Sequence, residues 1–242
     1  MLSDTEARNA LIVALDCDRA RALELTDLLA NHARWVKVGM TLFYRYGPGI
    51  VQEMKDRGFN VFLDLKVHDI PFQVHGAVRS ASLSGADIIS IHALGGSHMI
   101  ASGRSGAAEA AEIRGVGEEG RTKLVAISIL TSMNEEDLSS IGVRDTVASE
   151  VERLAKLSYS AGADGLVCSA QEASSMREIL GPEALIITPG IRPRGAEKGD
   201  QQRTATPASA IAAGASKLVI GRPITEAKDP CMAFEEIVKE LI

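Results

Sequence analysis

Short apolar runs recur along the chain and alternate with segments whose apolar residues repeat every three or four positions. Runs of four to eight apolar residues, rich in β-branched side chains, are typical of buried strands. The candidate strands are residues 12–16, 35–39, 61–66, 88–93, 124–130, 165–169, 185–190 and 218–222. Eight strands in 242 residues give one strand per roughly 30 residues, the length of a βα unit.

The segments between these runs predict helices. Residues 70–81 and 147–158 each carry an apolar stripe at helical spacing. Asp229-Pro230 and Thr206-Pro207 each join a capping residue to a proline at the first helical position. Alternating strands and helices predict an α/β fold, and eight units favour a single-domain (β/α)₈ TIM barrel over residues 1–242. An open doubly wound sheet is the alternative.

Composition excludes several classes of binding partner. The formal net charge is −6 and only nine residues are aromatic, so we expect no nucleic-acid partner. The N-terminus shows no secretory signal, and no apolar run approaches the roughly 18 residues of a membrane span. Three widely separated cysteines argue against a disulfide framework and favour a cytoplasmic location. The five histidines show no zinc spacing, so we expect no metal.

Candidate chemistry is concentrated in FLDLKVHDIP, residues 62–71. Alternation along a strand places Asp64 and Lys66 on one face, close to its carboxyl end, with Asp69 three residues later. A structural ion pair at the end of a strand is the alternative interpretation of this segment. Asp16 and Lys37 lie at the ends of the first two strands, where they could be a helix cap and a surface lysine. Taken together, they predict an alternating array of lysines and aspartates.

An anion site is predicted in the last third of the chain. The seventh run ends in Gly190, with Arg192 two residues later, and the eighth run ends in Gly221 and Arg222. Barrel enzymes often bind phosphate after their seventh and eighth strands, and arginine binds phosphate oxygens in bidentate fashion. Two connections, residues 131–142 and 191–207, are long enough to be surface loops or active-site lids.

These motifs resemble the orotidine 5′-monophosphate decarboxylase family along nearly the whole chain. The most specific of them is D-x-K-x-x-D, formed by Asp64, Lys66 and Asp69 and followed by Ile70 and Pro71. The other matches are VKVG around Lys37, IHALGG at 91–96, ILTS at 129–132, TPGIR at 188–192, GDQQR at 199–203 and GRPIT at 221–225.

The resemblance implies a cofactor-free homodimer of barrels that converts orotidine 5′-monophosphate to UMP and CO₂. Lys66 would then protonate C6 of the pyrimidine, beside Asp64, while Asp69 and Ile70 would reach into the partner subunit's site. Asp16 and Lys37 would contact the ribose, and Thr131 the pyrimidine. The residues implied for the phosphate are Arg192, Gln201, Gly221 and Arg222, with Gln201 on a closing lid.

One departure and two rival interpretations accompany this resemblance. Relatives usually have Asn and Thr where this chain has Phe72 and Gln73, which puts one polar contact across the dimer in doubt. Metal-dependent sugar-phosphate decarboxylases share the D-x-K-x-x-D segment but place a glutamate ligand where this chain has Lys37, whose charge would repel a cation. A catalytically silent phosphate-binding barrel would need only Gly221 and Arg222.

Overall fold

Eight parallel strands close into a barrel in which each strand pairs with the next and β8 pairs with β1. The structure is a computed structural model that describes residues 1–193 and 204–242. The strands are β1 (Leu11–Ala14), β2 (Trp35–Gly39), β3 (Asn60–Val67), β4 (Ile88–His92), β5 (Lys123–Ile127), β6 (Gly165–Val167), β7 (Leu185–Thr188) and β8 (Lys217–Ile220). The predicted barrel is confirmed, and the open-sheet alternative is wrong.

Helices surround the barrel. They are α1 (Asp4–Ala10), α2 (Arg19–Leu29), α3 (Met40–Tyr46), α4 (Gly49–Asp56), α5 (Pro71–Leu83), α6 (Gly96–Arg114), α7 (Glu135–Ser140), α8 (Val147–Ser160), α9 (Ala173–Leu180), α10 (Pro207–Ala212), α11 (Arg222–Thr225) and α12 (Pro230–Leu241). Thr206 and Asp229 cap α10 and α12 through their side chains, as their Thr-Pro and Asp-Pro pairs predict. The long connection after β5 contains α7, a short helix that apolar periodicity did not indicate.

Two apolar layers explain why the strands are buried on both faces. The inner layer fills the barrel with side chains that include Ile12, Phe62, Val125 and Ile187. The outer layer packs the opposite strand faces, such as Leu11 and Val13, against the helices. A filled interior leaves the strand ends as the place where a cavity forms.

No helix in the part of the chain that the structure describes combines the length and the apolar character needed to cross a bilayer.

Candidate active site

Strand register brings the predicted charges to adjacent levels at the carboxyl end of the barrel. Ala14 pairs with Lys37, and Lys37 pairs with Phe62. One level nearer the carboxyl ends, Gly39 pairs with Asp64. Side chains at both levels point inward, so Lys37 and Asp64 meet within the barrel mouth, with Asp16 just beyond the end of β1.

The four charged side chains form a continuous array. Lys37 Nζ lies 2.7 Å from Asp16 Oδ1 and 3.7 Å from Asp64 Oδ2. Lys66 Nζ lies 2.8 Å from the same Asp64 Oδ2. One carboxylate oxygen therefore faces two ammonium groups, and the predicted alternation of lysine and aspartate is present.

Asp64 is held ionised despite its burial. Only 8 % of the residue is exposed, and burial alone would raise the pKa of its carboxyl group. The charges of Lys37 and Lys66, with hydrogen bonds from Lys66 and Ser90, outweigh burial and hold this pKa below its usual value. The array consequently keeps its negative centre at neutral pH.

Lys66 adopts an unusual backbone conformation. Its φ is +51°, and no other non-glycine residue among 1–193 and 204–242 has a positive φ. The pairing of β3 with β4 is also irregular here: Leu63 pairs with Ile89, but the next pair joins Val67 to Ile91. Asp64, Leu65 and Lys66 thus form a bulge, so β3 does not follow the regular alternation expected from the sequence.

A cavity of about 620 Å³ opens beside the array. Its walls include Asp16, Lys37, Asp64 and Lys66 on one side of the barrel. The predicted binding residues Thr131, Arg192, Gly221 and Arg222 also line it. Eight of the eleven residues expected in the site are therefore brought to one cavity by strands and loops that are far apart in sequence.

Of the remaining three expected residues, the two that the structure describes lie outside this cavity. Asp69 and Ile70 belong to an exposed stretch before α5, outside the cavity lining, and Ile70 is 63 % exposed. The Ile70 backbone N–H donates to Asp69 Oδ1 at 2.6 Å. Gln201 lies outside the residues that the structure describes.

Two residues that sequence reasoning missed contribute to the geometry. Ser90 on β4 donates to Asp64 Oδ1 at 2.8 Å and accepts from the Lys66 N–H at 2.9 Å. The absence of a side chain at Gly39 also matters, because a Cβ there would lie 3.0 Å from both Asp16 Oδ1 and Lys37 Nζ. The available signal was a polar residue at an inward position of an apolar strand, since Ser90 follows inward-facing Ile88 by two residues.

Within the described ranges, no group of three or more His, Cys, Asp and Glu side chains is arranged to hold a metal ion. At the end of β2, where a metal-dependent relative would carry a glutamate, the Lys37 ammonium contacts both Asp16 and Asp64.

Fold and site together define the class of protein: a (β/α)₈ barrel with its functional cavity at the carboxyl ends of the strands, where barrel enzymes bind their substrates. Residues 9–237 match the model of the orotidine 5′-phosphate decarboxylase / HUMPS family. The chain belongs to this family.

Individual relatives agree with this assignment. The chain is 46% identical over 233 residues to orotidine 5′-phosphate decarboxylase of Vibrio cholerae, covering 96% of this chain and 98% of the relative. It is 47% identical over 232 residues to the enzyme of the same name from Maridesulfovibrio salexigens, with 96% and 98% covered. The crystal structure of the Lactobacillus acidophilus orotidine 5′-phosphate decarboxylase superposes with a TM-score of 0.82 at 37% identity, covering 96% of this chain and 98% of that one.

Proposed function

We propose that this protein is a carbon–carbon lyase that decarboxylates orotidine 5′-monophosphate to UMP and CO₂, the last chemical step in making this pyrimidine nucleotide, without a cofactor. The observation that carries the proposal is the Lys66 ammonium, held 2.8 Å from a buried carboxylate within the cavity. Family membership and the 46% identity to Vibrio cholerae orotidine 5′-phosphate decarboxylase support the same reaction.

The array supplies what this decarboxylation needs. Breaking the bond between C6 and the carboxylate carbon releases CO₂ and leaves the bonding electron pair on C6. The Lys66 ammonium stabilises that developing negative charge and then donates its proton to C6. Asp64, beside the departing carboxylate, fixes Lys66, and Lys37 links Asp64 to Asp16 at the ribose.

The opposite wall of the cavity suits the remote end of the nucleotide. Arg192, Gly221 and Arg222 follow β7 and β8, and we assign them, with Gln201, to the 5′-phosphate. Thr131, after β5, is assigned to the pyrimidine. Binding energy from the unreacting phosphate then serves to hold the ring against Lys66.

We also propose that two chains form a homodimer in which Asp69 and Ile70 complete the partner subunit's site. Exposed apolar side chains support this arrangement: Ile70 is 63 % and Phe72 81 % exposed, and Tyr44 on α3 is 73 % exposed. These residues follow the neighbouring strands β2 and β3 at the same end of the barrel, and so could form one contact surface. The three cysteines form no disulfide, and this supports the proposal that the protein works in the cytoplasm.

A spectrophotometric assay of orotidine 5′-monophosphate tests the activity. We expect turnover by wild-type protein that is unchanged by EDTA. Absence of turnover under conditions in which UMP binds would contradict the enzyme and favour a silent binding barrel. Activity that EDTA abolishes and magnesium restores would instead favour the metal-dependent alternative.

Subunit mixing tests the shared site. Lys66→Ala and Asp69→Ala proteins should each be nearly inactive. After they are mixed and allowed to exchange subunits, each heterodimer has one intact site, so about a quarter of wild-type activity should return. A monomeric mass in sedimentation equilibrium, or no recovery in a mixture shown to contain heterodimers, would contradict the proposed role of Asp69.

A further inference from the structure

The bulge in β3 leaves one residue of β4 facing three residues of β3. Between the pairs Leu63–Ile89 and Val67–Ile91, β3 contains Asp64, Leu65 and Lys66, whereas β4 contains only Ser90. A bulge disrupts the backbone ladder and turns side chains to new directions. Here the bulged residues include both members of the pair nearest the proposed chemistry.

The Ser90 hydroxyl accepts a backbone hydrogen bond at the point where the β3–β4 ladder is interrupted. Ser90 is fully buried, and its Oγ accepts from the Lys66 N–H at 2.9 Å while donating to Asp64 Oδ1 at 2.8 Å. A hydroxyl has one donor and two acceptor lone pairs, so a single oxygen can serve both neighbours. Ser90 thus fixes the backbone of the lysine and the side chain of the aspartate together.

The backbone of Lys66 needs such support. A non-glycine residue in the left-handed region costs on the order of 1 kcal/mol or more, and the conformation persists only where its surroundings enforce it. The φ of +51° at Lys66 directs the side chain from the bulge to Asp64 Oδ2. Loss of the bond to its N–H would allow the segment to relax toward a more ordinary conformation.

We propose that Ser90 is a positioning residue for the decarboxylation, holding Lys66 in its left-handed conformation and Asp64 in line with its ammonium group. The inference rests on the proposed function, because Ser90 acts only through the residues that carry it. Ser90 lies outside the cavity lining and has no direct role in the chemistry.

Ser90→Ala tests this inference, with Ser128→Ala as the matched control. Ser128 is also fully buried at a strand end, but its hydroxyl donates to the Val167 carbonyl at 2.9 Å instead of to a carboxylate of the array. We expect Ser90→Ala to lower kcat by about tenfold or more, with UMP affinity within about threefold of wild type, because the phosphate site is intact. Ser128→Ala should keep both parameters close to wild type.

Two further substitutions separate the hydroxyl group from its volume. Ser90→Thr retains a hydroxyl and should recover most of kcat. Ser90→Cys occupies nearly the same space but offers a weak donor, so it should behave like Ser90→Ala. Circular dichroism and thermal unfolding establish that each variant is folded, and the cysteine variant suffices if the extra methyl of threonine is not tolerated.

The acid limb of the kcat/KM profile supplies a readout that packing alone would not move. Burial raises the Asp64 pKa, while Lys37, Lys66 and the Ser90 hydrogen bond lower it. Further out, Asp16 is paired with Lys37, and His92 on β4 interacts with Lys66 and stacks on His68. Removing the Ser90 donor should raise this pKa, so the variant should lose activity at a higher pH than wild type.

Each result has one interpretation. If the wild-type protein turns over substrate and the folded Ser90→Ala variant has the same kcat and the same acid limb, the positioning role is overturned while the proposed function stands. Equal losses in Ser90→Ala and Ser128→Ala would also overturn it. Wild-type protein without turnover would refute the proposed function instead.

Discussion

The two ends of the barrel both contain buried charges beside a cavity, but they use them differently. The cavity at the amino ends of the strands, about 750 Å³, is lined by Asp87, Arg121, Asp164 and Lys217, and it is no smaller than the 620 Å³ cavity at the carboxyl ends. Volume therefore does not distinguish the two ends. They differ in the groups that their charged side chains contact.

Charges at the amino end are bonded to the backbone. Asp164 receives Arg121 Nη1 and Nη2 at 2.9 and 2.5 Å and also accepts from the Leu124 N–H at 2.7 Å. Asp87 similarly accepts from Lys55 Nζ and from the Val61 N–H, each at 2.7 Å. These pairs fasten connecting segments to the starts of strands, which is a structural role.

Lysines show the contrast most directly. Lys217 Nζ at the amino end donates to the Asn9 carbonyl at 2.7 Å and lies 3.9 Å from the centroid of the Trp35 ring. Burial lowers its pKa to about 8, with Asp87 only partly opposing this. Lys37 and Lys66 at the carboxyl end instead face the Asp64 carboxylate. The two ends therefore differ in the partners of their lysines: carboxylates at the carboxyl end, a backbone carbonyl and an aromatic ring at the amino end.

Removing a lysine from the carboxyl end should have the largest effect. Lys66→Ala deletes both the charge and the proposed proton donor and should lower kcat by about a thousandfold or more, while UMP binding remains measurable by calorimetry. Lys217→Ala, matched in chemistry at the other end, should alter stability and leave kcat of the folded protein near wild type. Near-normal turnover of Lys66→Ala would refute the assignment of the donor.

The second largest effect should come from breaking the ion pair between Arg121 and Asp164 at the amino end, and it should fall on stability instead of catalysis. Asp164→Asn removes the charge opposite Arg121, whose side chain is only 2% exposed, and should lower the free energy of unfolding by about 3 kcal/mol. Urea unfolding measures this loss. The comparison between the ends would fail if the variant were as stable as wild type and lost catalytic activity instead.

Arg222→Ala tests the phosphate wall at an intermediate level. Loss of a charge-assisted contact should weaken binding by about 2 kcal/mol, seen as a KM raised more than kcat is lowered. The same variant should bind uridine, which has no phosphate, as well as wild type does. An equal loss of uridine affinity would show that Arg222 does not act through the phosphate.

The smallest effect should come from the ion pair between Arg8 and Glu235, which lies in the helical layer away from both ends of the barrel. Hydrogen bonds from Arg8 on α1, at 2.7 and 2.9 Å, together with one from His32, lower the pKa of Glu235 on α12 to about 2, although burial opposes them. A lowered pKa stabilises the fold above the unfolded value of 4.5, and this contribution is lost as the pH falls toward about 2. Glu235→Gln should therefore cost about 1 kcal/mol at pH 7 and progressively less below pH 4.5. A difference from wild type that stays constant between pH 7 and pH 3 would contradict this.

Most of the fold could be predicted from the sequence because strand and helix periods are local properties. The positions of Asp64 and Lys37 followed from strand ends meeting at one edge of a barrel. The left-handed Lys66 could not be predicted, since its conformation depends on register with β4. Ser90 was missed for the same reason: a serine inside an apolar strand gains meaning only when the bulge opposite it is known.

Asp69 and Ile70 mark a different limit. Their neighbours in sequence form the array, yet the two residues lie on the surface, where Ile70 is 63 % exposed. Within one chain, geometry alone gives them no role in the cavity. The role proposed for them depends on a second chain, and the subunit-mixing experiment addresses that directly.

Gly39 has a consequence for mutational tolerance. It bears no reactive group, yet any side chain there would press on Asp16 and Lys37 at 3.0 Å. Asp16 and Lys37 would have to shift to admit even a methyl group, so a scan of all substitutions should show a loss at position 39 that grows with side-chain size. The volume left empty by this glycine is thus part of the geometry of the array, and efforts to redesign the proposed ribose end of this site should leave it empty.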